Sequence, residues 1–328
     1  AIALARRSIS MLERLPLSAE RLARELAPQM TVGFSTATGL GYAMRDVATA
    51  LDRARQLAEQ LGEHPQLVPA LWGLWAYYCT RPQLQDAREM GERLLRIATA
   101  ANDPMLLVAG HVALGISLQF LGHIEESHAH FGRAVAAHDP SRRREYLRLF
   151  YWAPGVLAHS RMIRTAWVLG RADEAMEHQR AALDLAREAG DPRSLALALV
   201  FVVTGDQLLG QPQEALAHAK LGIAICDEHG IAQERAWLAT YLGWAVAETK
   251  DAEEGILQMQ ASIAALRAMH AEITLPFYLG VLAETQGKHG RWGDALQSIR
   301  EGLAISSRTQ DVGYDAYLLR LRGELELV

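Results

Sequence analysis

The stretch "HIEESHAH" gathers His123, Glu126, His128 and His130 within eight residues. Imidazole and carboxylate groups are metal ligands, and Glu126 and His130, four apart, share one face of a helix. His128 and His130 are two apart and point in different directions, so a solvated helix surface is the better account and no metal is expected. The one basic cluster is "SRRREYLRLF", Ser141 to Phe150. Its arginines could grip phosphates. On a chain of net charge −5 they are expected in water or beside glutamates, and no nucleic-acid partner is expected. Neither a Gly-x-Ser-x-Gly elbow nor a Gly-rich phosphate loop ending in Lys-Ser/Thr is present. Cys79 and Cys226 lack a local basic setting that would activate a thiol. The segment offers no catalytic residue and no cofactor site, and it reads as a protein that binds rather than one that catalyses.

The 328 residues are 50% hydrophobic and 22% charged, enough for a sizeable core. Two cysteines far apart in sequence do not make a disulfide framework, which points to a reducing cytoplasm. The opening "AIALARRSISMLERLP" reads as an amphipathic helix, without the apolar run or cleavage site of a signal peptide. The longest apolar run, Leu195 to Val203, is too short to span a bilayer. No membrane partner is expected. The chain opens without Met and closes on the apolar "GELELV", as a piece of a longer protein would.

The elements that position these residues come from a repeat. "LGQPQEALAHA", Leu209 to Ala219, places Ala215 at its seventh position, and related stretches place Val47, Ala87, Ser127, Ala175, Gly255 and Ala295 there. Successive positions lie 40, 40, 48, 40, 40 and 40 residues apart. Such spacing marks a repeat array, which outranks any single motif. Each unit holds two stretches of helical periodicity. Gly122, Gly170, Gly210 and Gly290 separate the two, and Pro65, Pro104, Pro140 and Pro192 fall at the junctions between units. β-branched alternation is absent. The unit is an antiparallel helix pair, and the expected fold is all-α: a single right-handed α-solenoid of about seven pairs plus a terminal helix, over residues 1–328.

Small residues at the aligned position, Gly115 and Gly243 twelve residues before it, and Phe131, Met259 and Ile299 four after it resemble the tetratricopeptide pattern. The pitch exceeds the usual value of about 34 residues for that repeat and matches the roughly 40–47 of HEAT or armadillo units. The small-residue pattern decides, because it reflects helix contact geometry, and longer helices absorb the extra residues. More specifically, "LVPALWGLWAYY" (Leu67 to Tyr78), "GWAVAE" (Gly243 to Glu248) with "EEGILQM" after it, "PFYLGVLAE" (Pro276 to Glu284) and the closing "YLLRLRGELEL" are similar to one family. They resemble the C-terminal repeats of bacterial adenylate/guanylate cyclase–ATPase and STAND-type ATPase regulators. The resemblance implies a cytoplasmic sensor or scaffold region that binds a peptide, a protein partner or a small effector, with any cyclase, ATPase or DNA-binding output elsewhere in the parent. One departure is Ala153, where many relatives carry Asp before Pro-Gly, so a ligand role for that Asp does not carry over.

In tetratricopeptide arrays the first helix of each pair lines the concave face. The corresponding positions here are Trp72, Cys79, Gln119, Arg164, Trp167, Thr204, Gln207, Trp237, Trp244 and Glu284, with Glu248 one residue further along. Tryptophan and arginine are common anchors of binding surfaces. Glu248 and Glu284 could face a cationic group and Arg164 an anionic one. The same tryptophans could equally fill the space between helices. The eight extra residues fall around 139–155 and include Arg143, Tyr146, Phe150, Tyr151 and Trp152. This insertion either folds across the groove or forms a longer connection. A protein-binding scaffold requires an open groove, and a small-molecule sensor a closed aromatic pocket near Trp167 and Trp244. Self-association through the apolar end faces is a further option.

Overall fold

The computed structural model describes residues 1–62, 65–150 and 153–327. Within them the chain is helical throughout and has no strand. After α1 (Ile2–Leu12) come seven antiparallel pairs: α2 (Ala19–Leu40) with α3 (Arg45–Gln60), α4 (Leu67–Thr80) with α5 (Leu84–Ala101), and α6 (Pro104–Phe120) with α7 (Ile124–Ala137). A short α8 (Arg143–Phe150) intervenes. There follow α9 (Pro154–Val168) with α10 (Ala172–Ala189), α11 (Pro192–Leu208) with α12 (Pro212–His229), α13 (Ala232–Thr249) with α14 (Ala252–Ala268), and α15 (Leu275–Lys288) with α16 (Trp292–Thr309). Helix α17 (Asp315–Glu326) ends the described chain. None of these helices is long and apolar enough to cross a membrane.

Local chemistry sets the boundaries. Gly122, Gly170, Gly210 and Gly290 turn between the two helices of a pair with φ between 66° and 84°, a conformation that costs other residues energy. Asp103, Asp191 and Asp251 accept the first free amides of α6, α11 and α14 through their side chains. The two helices of a pair differ in kind. Helix α11 buries residues on all sides, whereas α12 buries only the stripe Ala215, Ala219, Gly222 and Cys226. An all-round apolar helix lies inside and an amphipathic one forms a wall. The first helices are therefore the inner layer and the second helices the outer one.

The aligned small residues are the points of closest approach. Ser127 Oγ donates to the Gly115 carbonyl at 2.7 Å. A Cβ on Gly243 would sit 2.8 Å from the Gly255 carbonyl oxygen and 2.8 Å from the Met259 amide nitrogen. The eight-residue insertion forms a 3₁₀ turn, Pro140–Arg142, and then α8. It packs on its own neighbourhood: Tyr146 stacks on His138, and Phe150 meets Trp72 edge-on.

Other parts of the chain cross the groove. Starts of later inner helices reach the ends of earlier ones. Gln233 Oε1 would lie 3.2 Å from a Cβ on Gly41, the Ile273 amide donates to the Thr80 carbonyl at 3.4 Å, and a Cβ on Gly313 would lie 2.5 Å from the Gln119 carbonyl. These three pairs are separated by 192, 193 and 194 residues, a nearly constant offset. Arg193 adds a hydrogen bond to Thr38 and an ion pair with Glu234. The superhelix closes on itself, and one continuous core runs from Leu26 to Tyr314.

Gly243→Ala forces its methyl into the α14 backbone, and a destabilisation of about 1–3 kcal/mol is expected from such overpacking. Gly132→Ala, whose methyl meets nothing within 4 Å, is expected to stabilise by a few tenths to about 1 kcal/mol through helix propensity. Urea unfolding of the two variants checks both signs.

Candidate functional site: the closed concave face

Six inner helices, among them α4 with Cys79, and one turn assemble the interior of the superhelix. Helix α9 supplies Arg161 and Arg164, one helical turn apart, and α6 supplies Gln119 and Phe120. Phe201 and Thr204 come from α11, Trp237 and Tyr241 from α13, and Phe277 and Tyr278 from α15. The 3₁₀ turn Val312–Tyr314 lies against them from the far end of the chain. Among the described residues, two small cavities of about 40 Å³ and about 30 Å³ are both lined by Arg161 and Trp237. Each has room for about one water molecule.

Two cations in so dry a place need substitutes for water. The Arg161 guanidinium lies 4.7 Å from the Phe201 ring centre and 5.1 Å from that of Phe120, and it donates to Gln119 Oε1 at 3.2 Å. Arg164 lies 3.7 Å over the Tyr314 ring and donates to the Gly313 carbonyl. Guanidinium on an aromatic face is a favourable arrangement for a partly desolvated charge. Burial pulls Arg161 below the ordinary arginine range. Asp311, just before the turn, is buried, and its carboxyl is pushed up to about 7 despite the opposing charge of Arg164. Gln119 Nε2, Arg161 Nε, Arg164 Nη1 and Trp237 Nε1 face this interior without a hydrogen-bond partner among the described residues. Thr204 and Tyr241 satisfy each other at 2.6 Å.

Of the residues expected from sequence to face inward, Cys79, Gln119, Arg164, Thr204 and Trp237 converge on these cavities. Burial pushes the Cys79 thiol up to about 12, so it is no nucleophile at neutral pH. Trp72 is fully buried, its ring 4.7 Å from that of Trp75, and Trp244 belongs to the continuous core. Trp167 and Gln207 are half-buried and lie outside both linings. Glu248 and Glu284 do converge, on a cation of the chain itself: Lys288 lies 3.0 Å from the first and 3.8 Å from the second, and Tyr317 donates to Glu284 at 2.8 Å. In the insertion Arg143 is exposed, while Tyr146 and Phe150 are buried. Tyr151 and Trp152 lie outside the described residues. A wider depression of about 850 Å³ opens elsewhere, lined in part by Arg93, Arg96, Ile97, Met105 and Leu149.

Sequence reasoning missed Arg161, Tyr314 and Asp311. Arg161 carried a signal, since it sits one turn before Arg164 and shares its face. The turn carried none, because it lies at a junction and meets Gln119 only through the closure.

Of the histidines of the "HIEESHAH" stretch, His130 is paired with His111 and His128 with Glu174. His130 Nδ1 lies 2.9 Å from His111 Nδ1, and the same pair recurs 48 residues on as His159 and His178, again at 2.9 Å. His128 Nε2 lies 3.0 Å from Glu174. No group of three His, Cys, Asp or Glu side chains among the described residues is placed to hold a metal ion.

No protein-family model matches this chain. An uncharacterized protein of Rhizobium meliloti is 25% identical over 288 residues, covering 85% of this chain and 26% of that protein. The chain thus spans about a quarter of that relative's length. Among solved structures, the Rap conjugation gene regulator of plasmid pLS20 in complex with the Phr* peptide superposes with a TM-score of 0.70 at 13% identity, over 91% of this chain and 78% of that one. The fold is a tetratricopeptide-type solenoid. A Rap protein complexed with competence and sporulation factor superposes at 0.62 and 14% identity, over 99% and 91% of the two chains. A STAND protein with a tetratricopeptide repeat sensor, from Pyrococcus horikoshii, gives 0.55 at 13% identity, over 93% of this chain and 42% of that one.

Burial and mutual proximity lower His111 and His159 to about 4, against about 6.5 for a solvated histidine. The unfolded chain therefore binds more protons in this window, and the stability these pairs contribute is full above about pH 6.5 and is lost as pH falls towards 4. Asp311 acts with the opposite sign, since its raised carboxyl loses stability as pH rises towards 7. A comparison with the His111→Gln/His159→Gln double variant isolates the histidine effect. Its urea midpoint is expected to fall less steeply than that of the wild type between pH 7 and pH 4.5.

Proposed function

We propose that this chain is a regulatory tetratricopeptide solenoid that binds a peptide or protein partner on its concave face. We further propose that it serves as the sensor or scaffold region of a larger bacterial signalling protein with an ATPase, cyclase or DNA-binding output. The observation that carries the reading is the interior around Arg161, Arg164, Gln119 and Trp237. There, charged and polar groups on rigid inner helices face one another with hydrogen-bonding capacity left over. A core built only for stability would be apolar at such positions, because each unsatisfied buried polar atom costs about 1–3 kcal/mol. Two Rap structures with similar folds are complexes, one with competence and sporulation factor and one with the Phr* peptide. The fold shared with the STAND protein fits attachment to an ATPase. Resemblance in the repeats named above supports the same context.

Binding would act through curvature. The closed superhelix and a more open one differ in whether the junctions near Thr80 and Gln119 are occupied by Ile273 and Gly313. A ligand shifts that balance only by the difference in its affinity for the two forms. An enclosed aromatic lining also suits a small effector. The two cavities take about one water each, so such an effector too would have to open the interior.

A photoreactive phenylalanine analogue at Phe201, which faces the interior, is compared with one at Leu221 on the outer wall, in the cells that make the protein. The concave-face reading predicts a cross-linked partner from position 201 and none from 221. Equal products from both positions, or a product from 221 alone, contradict it.

A further inference from the structure

Tyr314 lies deep in the interior although it belongs to the last junction of the chain. It is buried, its ring 5.2 Å from Phe277 and 6.4 Å from Phe120, with Arg164 over its face. The residue before it, Gly313, offers its carbonyl to Arg164 and presses on the Gln119 carbonyl so closely that no side chain fits. Asp311 completes the set as a buried carboxyl in the field of Arg164. Backbone carbonyl to guanidinium and aromatic ring under a cation are contacts by which a groove holds an extended peptide.

The turn reaches solvent at one residue. Val312, between the buried residues, is 44% exposed. Helix α17, which follows, seats Leu318 and Leu321 in a small separate cluster with Ala283, Ala295 and Ile299, outside the continuous core. Withdrawal of the turn takes Tyr314 out of the continuous core but breaks no contact between the two helices of any pair. The interior it would vacate carries two cations, Arg161 and Arg164, whereas the neighbouring Glu234 is already paired with Arg193. Its charge suits an acidic guest.

We propose that the Val312–Tyr314 turn is an internal occupant of the concave site, and that the ligand which displaces it is an acidic peptide that presents a tyrosine to Arg164. This rests on the concave-face reading above and adds what the site recognises and what holds it shut. An occupant tethered to the same chain competes at high effective concentration, so a free ligand binds with an affinity reduced by the fraction of molecules that are open.

Gly313→Ala tests it without altering any side chain of the lining, because the added methyl would meet the Gln119 carbonyl at 2.5 Å and expel the turn. The probe is a fluorescent synthetic peptide of residues 309–316, followed by anisotropy, with hydrogen exchange reporting the amides of 312–314. The expected result is release of those amides and at least tenfold tighter binding of the peptide than by the wild type. Arg164→Met in the same background, or Asp311→Asn with Tyr314→Ala in the peptide, should lose that gain. Where circular dichroism shows Gly313→Ala unfolded, Tyr314→Ala provides the same comparison. Released amides without tighter binding overturn the proposal, and so do amides that stay protected in both variants. Either outcome leaves the concave-face reading standing, since cross-linking from position 201 decides that separately.

Discussion

Ile273 reaches Thr80, Gly313 presses on Gln119 and Gln233 lies against Gly41, so the starts of later inner helices meet the ends of earlier ones. This end-to-end meeting places the positive end of one helix dipole against the negative end of another, which is the favourable sense. The near-constant offset of about 193 residues shows one geometric relation repeated along the array. Each helix pair adds a small rotation, and the sum brings the second half of the solenoid over the groove of the first. The inner face then becomes an interior, and whatever stands on it loses most of its water.

That loss of water explains the chemistry found there. Arg161 and Arg164 would be costly in a plain apolar core, and they survive on the faces of Phe120, Phe201 and Tyr314 and on the oxygens of Gln119 and Gly313. Asp311 sits in the same field with its carboxyl raised by burial. The contacts that close the inner face are few and local, while those that build each helix pair are many.

Much of the architecture was legible in the sequence. The positions Val47, Ala87, Ser127, Ala175, Ala215, Gly255 and Ala295 mark close approach of two helices, a requirement local to each pair that leaves a residue pattern. The 48-residue step located the insertion for the same reason. The inner-helix positions were legible in part: Gln119, Arg164, Thr204 and Trp237 surround the cavities, whereas Glu248 and Glu284 are drawn together by Lys288. What no local pattern contains is the closure. It depends on the accumulated rotation of several pairs, so nothing near Tyr314 announces that it will meet Phe120 and Arg164. The insertion met a similar limit, because its length was plain but its docking on His138 and Trp72 depends on tertiary geometry.

The chain's own later repeats close the concave face without any partner. Small-angle X-ray scattering of the purified protein, at a concentration where its mass is that of one chain, checks this closure. A compact fold of this length has a radius of gyration of about 20 Å. The account predicts a value near that figure and a profile that matches the closed structure. A markedly larger radius, with the profile of an open superhelix, would show that the inner face lies exposed to solvent and would contradict it.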